Sequence, residues 1–302
     1  MGMKWNPIPK LSPAVQADLM LLTATVLWGG SYLFMVAGLY ELAVFNIIAL
    51  RFGIAFLLAG ALFAKRLAGG GLMPFLTSCL PGFLLCAAFT AVFAGLKTTS
   101  PAKAGFLIAL TVIFVPVLSA LFSRRLPGVK SALATLVAAG GICLLTLNSK
   151  IRFEHGDLLC MLSAFLYAVY IILNGKVVKK ESALEFGIWQ LGWCAAAALL
   201  FSILLEKPSL PETAEGWIAV LVLGIFCSAA GFILQTKAQV TASPTHVTII
   251  FSLEPVFAAL FAWLFKDEML TKRGLVGAGL ILLGVFLSEF TPEKKAEKTE
   301  KK

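Results

Sequence analysis

The chain has 302 residues, of which 59% are hydrophobic and 14% charged, with a formal net charge of +9. Soluble domains carry about 25% charged residues, so this composition, with a mean hydropathy of +0.92, excludes a water-soluble enzyme or binding domain. The positive charge does not describe a nucleic-acid surface, because Lys and Arg sit between apolar runs and in the two tails, where membrane proteins place their cations.

A helix needs about 20 mostly apolar residues to cross the hydrocarbon core. Ten runs meet that need, at 17–38, 44–63, 73–94, 101–122, 130–147, 157–175, 185–205, 216–236, 244–265 and 273–290. None alternates as a barrel strand would, so the expected fold class is an all-α integral membrane protein with ten transmembrane helices. The connections are short and leave no room for an extramembrane domain. The first run lacks a small-residue cleavage site and leads straight into the second, so no cleavable signal is expected. With the N-terminus placed in the cytoplasm, sixteen Lys and Arg fall on the inner side and seven on the outer. The positive-inside rule then puts both termini in the cytoplasm. The six cysteines, Cys79, Cys86, Cys143, Cys160, Cys194 and Cys227, lie inside apolar runs and form no CxxC pair. They read as small buried apolar residues rather than as disulfides or zinc ligands. The tail 291–302 is a Lys/Glu run. It reads as a solvated end that fixes orientation, or as a segment attracted to anionic lipid.

An internal repeat divides the chain. At an offset of 139, Asp18-Leu19 matches Asp157-Leu158, Trp28 matches Tyr167, Arg51 matches Gln190 and Gly53 matches Gly192. At an offset of 143, the segment opening at Thr98 matches the one at Thr241, with Ser100-Pro101 on Ser243-Pro244, Lys103 on His246 and Phe114 on Phe257. The expected units are a first repeat at 17–148 and a second at 149–290, flanked by segments 1–16 and 291–302. Five spans per repeat is an odd number, so the second copy enters the membrane from the other side. Two inverted five-helix repeats place a substrate site at their interface near the midplane.

The segments TSPAKAGFLIAL and TASPTHVTIIFSLEPVFAALFAWLF resemble the paired hallmark segments of the drug/metabolite transporter superfamily, in its ten-helix EamA-type branch. LWGGSYLF, ALRFGIAFLLAGAL and KDEMLTKRGLVGAGLILLGVFL are similar to that family's first, second and last helices, although Lys266-Asp267 stands where a Leu-Gly pair is usual. The resemblance implies a secondary transporter in a bacterial inner membrane, an exporter of a small polar metabolite such as an amino acid, working by alternating access. A multidrug or lipophilic-compound exporter is the alternative. A channel would need a continuous polar lining, and an intramembrane enzyme would need HExxH, GxSxG or paired aspartates, none of which the spans carry. No Walker motif is present, so a proton gradient or the substrate's own gradient drives the cycle. No cofactor or metal is expected. The expected partners are a small-molecule substrate, protons and the bilayer, with the chain a monomer or homodimer.

Ionisable groups inside a bilayer are costly and mark functional sites. Glu254, in the ninth span just before Pro255, is a candidate coupling carboxylate, with a plain helix-bridging role as the alternative. Lys103 and His246 occupy equivalent repeat positions near opposite faces. They are candidates to attract a substrate anion at each entrance, or to snorkel and cap. Arg51 reads as a helix-bridging group or a substrate contact. Trp28, Tyr32, Tyr167 and Tyr170 are candidates to stack a ring-bearing substrate, and Gln190 and Asn174 to face a cavity. Trp189 and Trp193 read as interfacial packing.

Overall fold

The computed structural model describes residues 11–124, 126, 128–146, 154–266 and 271–289. The N-terminal segment through Lys10, the basic loop with Lys150 and Arg152, the hinge at Asp267 and the tail 291–302 lie outside the described residues. Among the described residues every regular element is helical. Eight helices are long and apolar enough to cross a membrane: α1 (Pro13–Leu39), α2 (Val44–Leu62), α3 (Leu72–Leu96), α4 (Lys103–Ser123), α6 (His155–Val177), α7 (Ala183–Leu205), α8 (Ala214–Ala238) and α9 (Pro244–Phe261). The expected fifth and tenth spans correspond to a shorter apolar helix, α5 (Val129–Leu145), and to α10 (Lys272–Glu289). Lys272 and Arg273 begin α10, which shortens its uncharged stretch.

Several spans are broken at points the sequence explains. Gly30 interrupts α1 between Gly29 and Ser31. The helix that contains α4 starts at Pro101, capped by Ser100, and breaks at Leu110. In α9 the first piece starts at Pro244, capped by Ser243. It stops at Phe251, and a second piece starts at Glu254-Pro255. Each cap serine accepts from the amide three residues on, Lys103 or His246, at 3.3 Å. The Ser-Pro matched across the repeat is therefore a helix start in both places, with the serine as N-cap and the proline, which has no amide to leave unpaired, at the first helical position. In α8, residues Leu223–Ala230 are wound as a π-helix.

Two charged caps join distant segments outside the hydrocarbon region. Glu206 accepts from the amides of Phe45 and Asn46 at 3.1 and 3.0 Å, closing the N-terminus of α2. Glu41 accepts from the amides of Glu212 and Thr213 at 2.9 and 3.2 Å and so closes α8. The Thr213 hydroxyl also donates to Glu41. These donors, the hydroxyl foremost, hold the Glu41 carboxyl below its ordinary range.

The core runs through the middle of the bundle and includes Trp28, Tyr32, Phe52, Phe93, Tyr170 and Phe232. A smaller cluster built on Val112, Ala138, Ile142, Ile249 and Ile281 seats α5 and α10. Those two helices touch closely at Gly141 and Gly277: a Cβ on Gly141 would lie 2.7 Å from the Gly277 carbonyl oxygen. Lipid tails are as apolar as leucine, so close backbone packing of this kind, rather than hydrophobic burial, holds membrane helices together. Large apolar side chains such as Leu57, Leu121, Leu136 and Leu204 point outward, as a lipid-facing surface requires.

Candidate functional site

A cavity lies at the centre of the bundle. Five residues singled out from the sequence line it together: Trp28 and Tyr32 on α1, Arg51 on α2, Tyr167 on α6 and Glu254 on α9. They come from both halves of the chain and are separated by as many as 226 positions. The rest of the wall is mainly apolar, with Phe89 and Phe232 its aromatic rings and Ser31 and Ser163 its hydroxyls. Trp28 packs within the aromatic group. Its ring lies 5.1 Å from Phe232, 4.9 Å from Phe251 and 6.4 Å from its repeat equivalent Tyr167.

The π-helical stretch of α8 explains how two polar groups are held here. Wider turns remove carbonyls from the regular i→i−4 ladder, and such segments occur often at functional sites. The carbonyl of Cys227 accepts from the Trp28 indole N–H at 2.7 Å. One residue later, the Ser228 hydroxyl accepts from Arg51 Nε at 2.6 Å. Gly231, just past this stretch, lets α1 approach: a Cβ there would stand 2.6 Å from Trp28 Nε1.

Arg51 is 1% exposed. Its guanidinium carbon sits 4.4 Å above the Phe89 ring and 5.4 Å from Phe52. A cation on an aromatic face is stabilised by the ring's negative quadrupole, by about 2 kcal/mol when desolvated. Its Nη1 is buried without a hydrogen-bond partner. Glu254 begins the second piece of α9 and lines the same cavity as Tyr32 and Arg51. The cavity therefore contains one cation, one carboxylate, an unsatisfied donor and aromatic walls. Such a site can hold a small molecule with both an anionic and a cationic group. The described residues contain no cluster of His, Cys, Asp and Glu suited to a metal ion.

The other four sequence candidates lie elsewhere. Tyr170 and Gln190 are fully buried behind the cavity wall. The Tyr170 hydroxyl donates to Gln190 Oε1 at 3.2 Å, and Gln190 Nε2 donates to Thr236 Oγ1 at 2.8 Å. Asn174 donates to Gln239, and Tyr167 donates to Gln235 at 3.0 Å, so α8 anchors α6 and α7 through amide side chains. Lys103 and His246 lie at helix starts outside the cavity, paired with Asp157 and Asp18. Trp193 donates to the Phe75 carbonyl at 2.9 Å and packs on that ring. Phe89, Phe232 and Ser228 were not singled out from sequence. Phe and Ser are ordinary residues in an apolar span, and only the repeat offset gave any positional signal.

A polytopic helical bundle around a central, partly polar cavity is the build of a membrane transporter. The EamA-like transporter family matches residues 15–147 and again 155–290, and the chain belongs to that family. An uncharacterized transporter of Archaeoglobus fulgidus is 30% identical over 287 residues, covering 90% of this chain and 97% of the relative. A WAT1-related chloroplastic protein of Arabidopsis thaliana is 24% identical over 225 residues, which span 70% of this chain and 52% of that protein. A solved crystal structure matches with a TM-score of 0.76 and 20% identity, covering 91% of this chain and 96% of the other. The chain is thus a multi-pass membrane transporter rather than an enzyme.

Proposed function

We propose that this transporter is two inverted five-helix repeats, residues 17–148 and 149–290, that move a small zwitterionic metabolite such as an amino acid by alternating access through the central cavity. Both termini lie in the cytoplasm, the membrane is the cell's inner one, and the direction is export. The observation that carries the substrate class is the buried Arg51 Nη1, a charged donor without a protein partner, in the same cavity as Glu254. An unpartnered buried donor costs about 1–3 kcal/mol. A carboxylate from a ligand relieves that cost, and Glu254 complements the ligand's ammonium. Two matches to one family, each covering about half the chain, support the repeat. Meeting of the repeat equivalents Trp28 and Tyr167 supports the site at the interface.

Aromatic walls of Trp28, Phe89 and Phe232 favour the alternative of a lipophilic cation or drug as substrate. Such a compound gives Arg51 nothing to bind. The deciding experiment is counterflow in proteoliposomes. Vesicles preloaded with one unlabelled amino acid at a time should accelerate uptake of the same labelled compound, and the acceleration should saturate. Uptake that rises linearly with concentration and ignores the preload would refute a carrier. Counterflow with lipophilic amines but not amino acids would replace the substrate class.

A further inference from the structure

Two acid–base contacts join the sequence repeats. Lys103 Nζ lies 2.5 Å from Asp157 Oδ2, and His246 Nε2 lies 2.7 Å from Asp18 Oδ1. Asp18 corresponds to Asp157 and Lys103 to His246 in the repeat register, so each contact takes its acid from one half and its base from the other. Asp18 stands ten residues before Trp28, and Asp157 ten residues before Tyr167. At 1.5 Å per residue each contact is about 15 Å along its helix from the cavity ring it leads to. The contacts lie at opposite ends. Helix α6 runs from Asp157 past Tyr167 to Gly175, where an added Cβ would lie 3.4 Å from Pro244, two residues before His246. Eighteen residues of helix separate Asp157 from Gly175, about 27 Å.

The two are built unequally. Asp157 is fully buried and also accepts from the Thr99 hydroxyl at 2.7 Å and from the Glu154 amide at 2.8 Å. Its base is a lysine. Asp18 is 26% exposed and lies in no cap. Its base is a histidine, which makes an ion pair when protonated and a neutral hydrogen bond otherwise. Solvent-exposed pairs contribute less than buried, hydrogen-bonded ones whose partners would be left uncompensated.

We infer that these contacts are the two gates of the cavity, closed together here, and that the Asp18–His246 gate is the weaker and opens first. The inference rests on the alternating-access reading above. Opening on one side parts α1 from α9 near their N-terminal ends while Lys103–Asp157 holds; the other half of the cycle parts α4 from α6. With both termini inside, the weak gate faces the cytoplasm, so the resting protein loads from the side an exporter must load from.

The test is hydrogen–deuterium exchange on the full chain in nanodiscs, without substrate. Amides in 15–22 and 245–251 should exchange about tenfold faster than those in 104–109 and 158–164, the ratio expected for about 1.4 kcal/mol of differential opening. Asp18→Asn should accelerate exchange at the first pair of segments only, and Lys103→Gln at the second pair only. Swapping the weak gate, Asp18→His with His246→Asp, should restore the wild-type pattern, which separates loss of the contact from misfolding. Equal exchange at the two ends, or single variants that loosen both ends alike, would overturn the inference. Failed counterflow with the exchange asymmetry intact overturns the carrier and with it the gating role. Working counterflow with symmetric exchange overturns the gates alone.

Discussion

Replacing Arg51 by glutamine tests the substrate site most directly. Arg51→Gln removes the cation, its bond to Ser228 and its contact with Phe89. A hydrogen bond to a charged group is worth about 1.5–3 kcal/mol, or roughly 10- to 150-fold in Kd. A zwitterionic ligand should lose affinity by that factor. The corresponding amine, which lacks the carboxylate, should lose less than about threefold, because its ammonium addresses Glu254. The assay is thermal unfolding of purified protein across ligand concentrations, where a ligand at a hundredfold its Kd stabilises by about 2.7 kcal/mol. Arg51→Lys is the control. It keeps the charge but lacks the planar fork that bonds Ser228 through Nε while holding Nη1 in the cavity, so it should fall between wild type and Arg51→Gln. Equal losses for the zwitterion and the amine would refute the reasoning and leave Arg51 as a helix-bridging group.

Trp28→Phe should lower the unfolding free energy by about 1–3 kcal/mol by stranding the buried Cys227 carbonyl, read as a reduced Tm, while Trp189→Phe should change it little. Glu254→Gln should abolish the pH dependence of counterflow without altering expression; an unchanged pH profile would remove the coupling role and leave Glu254 as a ligand for the substrate ammonium. Glu41→Gln should flatten the acid limb of stability. Its carboxyl is held low in the folded protein, so its contribution is present above the unfolded value of about 4.5 and is lost as pH falls through the folded one. An acid-denaturation curve identical to wild type would show that the cap on α8 does not depend on the charge.

Five of the nine candidate residues converge on the cavity because each was conspicuous in sequence. Arg51 and Glu254 are charges in apolar runs, and Trp28, Tyr32 and Tyr167 are polar-tipped aromatics on α1 and α6. Tyr170 and Gln190 were equally conspicuous, but Tyr170 is stacked against Tyr167 at 5.4 Å and is not among the residues lining the cavity, its hydroxyl bonding Gln190 on α7. Direction around a helix depends on what packs against each face, and in a span apolar all round the sequence contains no stripe to reveal it. Lys103 and His246 were placed at helix starts, and their acids Asp157 and Asp18 were noted as repeat markers. What joined them was tertiary: each base lies beside the other repeat's acid, a pairing across 54 or 228 positions that neither offset states. The π-helix left no trace, because LGIFCSAA reads as an ordinary apolar span.

That wide-turned stretch in α8 also determines where the chain can change length. In a regular span, deleting one residue turns everything beyond it by about 100° and carries each side chain to a new face. Within Leu223–Ala230 the extra residue per turn can be withdrawn, with the coil tightening to a regular helix while both flanks keep their facing. Phe232, Gln235 and Thr236 would stay on the interior side, and the loss would fall on the two groups that rest on the wide turns, Trp28 and Arg51. The cavity could therefore be refitted to a new ligand by shortening this wall, a route closed to the regular helices around it.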